Sequence, residues 1–381
     1  MIGIVQEQHP DRARLYKQWR QLNWPILVDS LNLLGLRAVP KLVALDESGV
    51  VRASGLRSMD ALTAFLEEEY PHVAPPEDYE ELSHETLFYE LPPPGKIKKR
   101  IGALARKAGH LSFRLDRLDD AVRNYRSNLS SGPSATGYFR LGVVLRRRSE
   151  SDKRQPHDAQ DAVDAWTEAL QMEPNQYIWR RRLQQYGPRL DKPYNFYSWV
   201  AQARKDIRAR GEEPVALVSE PAGSEIAAPA RGPTGAPVMK DLDPEDKIHH
   251  DDGRIQIESL ATPRRVRPGS AVRVRLRFRV DAKTKPYWNN EADGLQLYVQ
   301  VPEGCVLREG VFDYPLPKQA ETQEDRLLEF ELTTPAKGSG ALELQGYALY
   351  DVCDKEGGTC LRLRQDFNIA LTLDPEAPTL K

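Results

Sequence analysis

The sequence predicts a multidomain chain in which an α/β segment, an all-α stretch of helical repeats and an all-β sandwich follow one another. Three observations predict it. Short apolar runs alternate with helix-period stretches over residues 1–70, a helical motif starting at Asp120 recurs from Asp161, and strict period-two alternation sets in after Arg254. The 381 residues, 40% hydrophobic, suffice for two or three cores of ordinary size. Composition places the boundaries at 1–70, a Pro-rich linker over 71–95, helical repeats over 96–210, a flexible linker over 211–253 and the sandwich over 254–376. With 54 basic against 56 acidic residues, no global field selects nucleic acid or an anionic membrane. No apolar run is long enough for a membrane span, and "MIGIVQEQHPDRAR" has neither the basic start nor the apolar core of a signal peptide.

In the first segment Ile2–Val5 reads as a short strand. "HPDRARLYKQW" reads as a helix opened by Pro10, with Ala13, Leu15, Tyr16 and Trp19 at helical spacing, and "PILVD" as a buried strand. Two apolar runs about "DESG" read as a hairpin, and "SMDALTAFLEEEY" as an amphipathic helix presenting Met59, Leu62, Phe65 and Leu66 on one face. This order of elements resembles the C-terminal part of a thioredoxin or redoxin fold, with "AVPKLVALD" similar to the family's cis-proline strand. The resemblance implies that Pro40 is that cis-proline, with Val39 before it, supporting a redox site. The family's paired cysteines precede this part of the fold, and residues 1–70 contain none. An independent oxidoreductase site is therefore not expected in this segment. Either Met1 is an internal start or the segment binds without chemistry.

Beyond the Pro-rich, acidic stretch 71–95, Ala121 matches Ala162, Tyr125 matches Trp166, Leu129 matches Leu170 and Pro133 matches Pro174. A further helical stretch precedes each copy. Small residues where helices approach, an aromatic four residues on and a closing Pro resemble tetratricopeptide repeats (TPR). The excess over their usual spacing falls in "RRRSESDKRQP", and "YIWRRRLQQYG" with "YNFYSWVAQARKDIRARG" are expected to cap the array. Between Gly95 and Arg210 there are 25 Lys and Arg against 12 Asp and Glu. The aromatics lie at core spacing rather than interleaved with those charges, so a solvated face is expected and no nucleic-acid platform.

Residues 211–253 shift to Pro, Ala, Gly and acids, with one short strand expected at "PVALVSE". The segment ends in "HHDDG", His249–Gly253, whose adjacent side chains are poorly spaced to converge on one metal ion. In "AVRVRLRFRV", Val272, Val274, Leu276, Phe278 and Val280 alternate with Arg273, Arg275, Arg277 and Arg279. That arginine face is expected in solvent or against acids. Turn signals "RPGS", "PEGC" and "KGSG" separate further strands, which points to an immunoglobulin-like sandwich.

The order "VRPGSAVRVRLRFRV", "LYVQVPEGCVL", "FDYPLP" and "YALYDVCDKEGGTCLRLRQDFNIALTL" resembles the N-terminal periplasmic domain of DsbD-type thiol:disulfide interchange proteins. The resemblance implies that Cys353 and Cys360 are a catalytic redox pair passing electrons to partner oxidoreductases. Where members often carry a Pro soon after the second cysteine, this chain has "LRLR". Read from the residues, placing Cys353 opposite Cys360 leaves Lys355, Glu356, Gly357 and Gly358 as a hairpin loop with Asp354 facing Thr359. Opposed cysteines on antiparallel strands lie within bridging range, so the pair is a redox centre or a staple, and a zinc site would need further ligands. Cys305, after Gly304, is expected to pack as a small hydrophobe.

The function expected is thiol–disulfide exchange in the bacterial cell envelope through Cys353 and Cys360, with no metal and no organic cofactor. The partners expected are thioredoxin-like oxidoreductases and a peptide or protein on the helical repeats, with no nucleic acid and no membrane span. The alternative is a non-catalytic binding scaffold whose Cys353–Cys360 bridge is structural. The compartment expected is periplasmic or extracytoplasmic if the true start lies upstream of Met1, and cytoplasmic otherwise.

Overall fold

Gly3–Val5 (β1) pairs in parallel with Ile26–Val28 (β2), and the helix Pro10–Trp19 (α1) makes the crossover between them. Pro10 stands at the first helical position, where a missing N–H costs nothing. Val43–Leu45 (β3) and Val51–Ser54 (β4) form an antiparallel hairpin whose turn is organised by Asp46, accepting from the backbone N–H of Ser48 and Val50 and from Arg52. Met59–Glu67 (α2) follows, with the Ser58 hydroxyl accepting from the Ala61 N–H as its N-cap. The computed structural model describes residues 1–56, 58–74, 106, 109–110, 112–114, 116–187, 196–221, 225–226, 239–354 and 358–378. Most of the linker expected at 71–95 and much of the one at 211–253 lie outside them, as does most of the helix expected over "RIGALARKAGHLSFRL".

Four helices come next: Leu118–Ser131 (α3), Ala135–Ser149 (α4), Asp158–Met172 (α5) and Tyr177–Gln184 (α6). α4 and α5 approach so closely that a Cβ at Gly142 would sit 2.5 Å from Trp166 Nε1, which donates to the Phe139 carbonyl at 3.1 Å. Phe139 stacks on Trp179 and Trp166 on Tyr186, extending this core through α6. Trp199–Ala209 (α7) packs instead on α1, through Leu15, Val200, Ala203 and Ile207 and a stacked Trp19–Trp199 pair.

The strands after residue 254 build two sheets. Ile255–Thr262 (β5), Ala271–Val280 (β7), Val306–Gly310 (β10) and Arg326–Thr333 (β12) form an antiparallel sheet in the order β10-β12-β7-β5. Arg265–Val266 (β6), Tyr287–Asn289 (β8), Glu321–Thr322 (β11), Gly340–Cys353 (β13) and Cys360–Leu373 (β14) form the second in the order β11-β8-β13-β14-β6, with Gln296–Gln300 (β9) also on β13. Val272, Val274, Leu276 and Phe278 of β7 meet Leu344, Ala348 and Tyr350 of β13 in one core.

These parts do not form the separate modules the sequence predicts, and the expected fold class of thioredoxin-like fragment, all-α repeat array and immunoglobulin-like sandwich is replaced by one mixed α/β molecule. Among the described residues only 28% are helical, too little for an extended TPR array. The physical reason is that each group of elements completes its burial on another. Leu31 from the N-terminal segment and Leu260 of β5 belong to the same apolar core as the helices. Gln160 of α5 accepts from the Ala261 N–H at 2.9 Å and donates to the Ala261 carbonyl at 3.0 Å, pairing a helix side chain with a strand backbone. Of the two helices expected to cap the array, α6 extends the helical core and α7 instead covers α1. Residues 214–220 are not a strand; they run along α1, with Val218 N–H donating to Asp11 at 2.7 Å.

The other face of β7 lies inside this junction. Arg273, Arg275 and Arg279 are buried, Arg273 to 1% exposure. Arg275 pairs with Glu329, and Arg279 with Asp325 at 3.0 Å, while Arg275 also sits over the Tyr186 ring at the end of α6. Nearby, Glu150 at the end of α4 lies 2.6 Å from Arg146 and 2.9 Å from His9, and Arg12 of α1 holds Glu225 at 3.0 Å. Burial pushes the Glu150 carboxyl up, but Arg146 and His9 outweigh it and hold it well below the usual range. Burial likewise pulls the His9 imidazole down, yet Glu150 and Glu7 raise it above its ordinary value of 6.5. Burial also pushes Glu225 up, and Arg12 and Arg146 reverse that to a pKa of about 2.

Two outcomes follow from this packing. A Cβ at Gly346 would lie 2.3 Å from the Tyr298 carbonyl oxygen, a backbone atom with no room to yield. Gly346→Ala is expected to lower stability by about 1–3 kcal/mol in urea unfolding. Since His9 is raised, its contribution is complete below about pH 6.5 and is lost as pH climbs through its folded value. Glu150 is lowered, so its contribution is present above about pH 4.5 and is lost on acidification. The unfolding midpoint should therefore fall on both sides of that window. His9→Gln is expected to remove the alkaline decline and to shrink the acid one, since His9 also helps hold Glu150 down, and Glu150→Gln to cost about 3–5 kcal/mol at neutral pH by stranding Arg146.

Candidate functional site

Cys353 ends β13 and Cys360 begins β14, directly opposed in the ladder and joined by a disulfide with Cα atoms 4.0 Å apart. Alternation along β13 and β14 sets this register, because Leu344, Ala348 and Val352 must face the core together with Leu363 and Leu371. The Asp354 N–H donates to the Thr359 carbonyl at 3.0 Å, and Gly358 takes a positive φ of 62°. Lys355, Glu356 and Gly357 of the expected loop lie outside the described residues.

The two sulfur-bearing residues have unlike surroundings. Cys353 is 3% exposed and its strand pairs on the far side with β8, Cys353 opposite Tyr287. Cys360 is exposed. On the next rungs Asp351 accepts from Arg362 at 2.7 Å, and Arg254 Nε reaches Asp354 at 3.1 Å. Burial pushes the Asp351 carboxyl up in spite of Arg362. Beneath the pair, Tyr350 meets Trp288 edge-on at 5.7 Å, and its hydroxyl lies 3.0 Å from Asp251 Oδ2 and 2.9 Å from Gln365 Oε1. Burial and then Asp251 push that phenol well above its ordinary value. The charged groups near the bridge thus pair with one another, Asp351 with Arg362 and Asp354 with Arg254.

The other residues singled out by the sequence fall elsewhere. The Val39–Pro40 peptide bond is cis, and Pro40 lines a groove formed by residues between Leu34 and Leu56. Val39 and Pro40 therefore belong to the β3 region, while the cysteines end the β13–β14 hairpin. Cys305 is half-buried, packs against the core of the two sheets and carries a free thiol, which burial pushes up. His250 pairs with Asp246 at 2.8 Å and Asp366 at 3.4 Å, Asp251 serves Tyr350, and Asp252 pairs with Arg254. No group of His, Cys, Asp and Glu suited to a metal ion occurs among the described residues. Sequence reasoning missed the Glu7–His9–Glu150–Arg146 network, which joins two local pairs, Glu7 with His9 and Arg146 with Glu150, across a separation of 141 residues between His9 and Glu150, and no local pattern signals that meeting.

No described helix is long and apolar enough to cross a membrane. No protein-family model and no curated protein matches the chain. Among solved structures it is similar to the GAE domain of GGA2p from Saccharomyces cerevisiae, at 16% identity over 34% of this chain and 97% of that one, with a TM-score of 0.21. A cohesin module from a Clostridium perfringens family 33 glycoside hydrolase shares 18% identity over 32% of this chain and 96% of its own, TM-score 0.19. A FixG-related protein from Vibrio parahaemolyticus shares 11% over 30% and 94%, TM-score 0.16. At such scores these likenesses assign neither family nor function.

Proposed function

We propose that the chain is a thiol–disulfide exchange protein of the cell envelope whose Cys353–Cys360 bridge reacts with a partner dithiol, a thioredoxin-like oxidoreductase being the expected partner class. The observation that carries the reading is an exposed Cys360 bridged to a buried Cys353 across a loop of sequence separation 7. Closing so short a loop contributes about 2.5 kcal/mol at most. The two 14-residue strands already hold its ends together, so the bridge adds little to the fold.

An incoming thiolate reaches Sγ of Cys360, the exposed sulfur, and the S–S bond breaks. Cys353 leaves as a thiolate and takes up a proton. A mixed disulfide now joins the partner to Cys360. The partner's second thiolate then attacks its own sulfur in that bond and expels Cys360, which is protonated in turn. Two electrons and two protons have passed to this chain, and the partner departs as a disulfide. The reverse sequence reduces a partner. Neither direction requires a metal or an organic cofactor. An extracytoplasmic compartment suits the reading, since disulfides persist there.

The reduction potential decides between this reading and a structural staple. In a Cys305→Ser background, thiol trapping in glutathione buffers is expected to give a value above about −250 mV, and a value below about −300 mV overturns the proposal. The same assay separates the two sulfurs: Cys353→Ser should take up glutathione from its disulfide at Cys360 roughly tenfold faster than Cys360→Ser does at Cys353.

A further inference from the structure

We propose that the cavity between β7 and the helices, lined by Arg146, Arg275, Arg277 and Tyr186, holds a single chloride ion. The cavity measures about 20 Å³, and Val163 of α5 supplies part of its apolar wall. That is room for one water-sized body and too little for a phosphate, an organic carboxylate or a side chain.

One positive charge in this lining lacks a counter-ion. Arg146 pairs with Glu150 at 2.6 Å, and Arg275 pairs with Glu329. Glu258, the one carboxylate of the lining, stands opposite Arg277 in the register of β5 and β7. Its ion pairs nevertheless go to Arg279 at 3.5 Å and Arg154 at 3.8 Å. Arg277 is half-buried and makes no ion pair and no hydrogen bond among the described residues. Burial, then Arg146, Arg279 and Arg275, pull its guanidinium down to about 10 in spite of Glu150. A monovalent anion offsets that repulsion without breaking an existing pair.

The hydrogen-bonding groups favour an anion over water. Arg275 is 4% exposed, and its Nη2 has no acceptor among the described residues. The Tyr186 hydroxyl accepts from Arg146 Nε at 2.9 Å, and no described group takes its own proton. With Arg277, three donor groups are therefore unclaimed, and a guanidinium accepts nothing in return. Chloride takes donors only. A water also has two protons to place, and of the remaining side-chain acceptors in the lining Glu258 is engaged and Ser259 is exposed. The ion joins β7 to α4 and to Tyr186 just beyond α6. It does not involve the cysteines, so it stands whichever way the redox measurement falls.

The test is urea unfolding of the full chain at constant ionic strength, with sodium chloride replacing sodium gluconate, whose anion is too large for the cavity. One ion bound to the folded chain alone makes the unfolding constant fall about tenfold for each tenfold rise in chloride above its dissociation constant. Arg277→Met keeps an apolar stem and removes the unmatched charge. It is expected to abolish this dependence and, in gluconate, to leave the chain at least as stable as before. Chloride NMR linewidths give a second readout that needs no unfolding: the protein should broaden the line, bromide should reverse the broadening, and Arg277→Met should lose it. Equal unfolding constants in chloride and gluconate, a chloride dependence or line broadening that Arg277→Met retains, or an Arg277→Met chain destabilised equally in both salts would each overturn the proposal, the last by making Arg277 a packing residue alone.

Discussion

The molecule depends on the burial of charge where α1, the ends of α4 and α6, and the outer face of β7 converge. A guanidinium or carboxylate removed from water costs several kcal/mol unless it meets a partner in good geometry. Glu150 meets that condition only with Arg146 and His9 both in place, and Glu225 only with Arg12. Arg146 lies one helical turn from Glu150, but His9 and Arg12 come from segments distant in sequence from the carboxylates they meet. The network therefore contributes less to net stability than to uniqueness: any other docking of the N-terminal segment against the helices leaves a buried charge alone.

The same constraint explains the two faces of β7. Its even-numbered residues, Val272 to Phe278, are entirely buried between the sheets, so a one-residue slip would place arginines in the apolar core. Its odd-numbered residues then have to go somewhere, and the helices take them. Glu329 lies opposite Arg275 in the register of β12 and β7, so the counter-charge arrives by strand pairing rather than by chance approach. Apolar pattern and ion pairing thus specify one register between them.

Against this locked interior, the region proposed for chemistry lies at the periphery of its sheet. The cysteines end a long hairpin whose ladder runs on for thirteen further pairs, from Val352 with Leu361 to Gly340 with Leu373. β3 and β4, by contrast, form a hairpin in which Ala44 is the one buried position of β3.

How much of this was legible differs by element. The period-two alternation of 271–280, the helical spacing of Ala121, Tyr125 and Leu129 and the opposition of Cys353 to Cys360 follow from local rules, since side-chain direction in strand or helix is set within a few residues. Those rules determined which segments are strands, which are helices and which face of each is apolar. They had no access to what lies across the polar face. The arginines of β7 read equally well as solvated, the 41-residue recurrence as a free-standing array and residues 214–220 as a short strand within a linker. Tertiary structure decided otherwise, because burial and charge compensation are settled between segments far apart in the chain, as Gln160 with Ala261 and Arg12 with Glu225 demonstrate. Periodicity carries the direction of a side chain; only the assembled fold supplies the neighbour that direction meets.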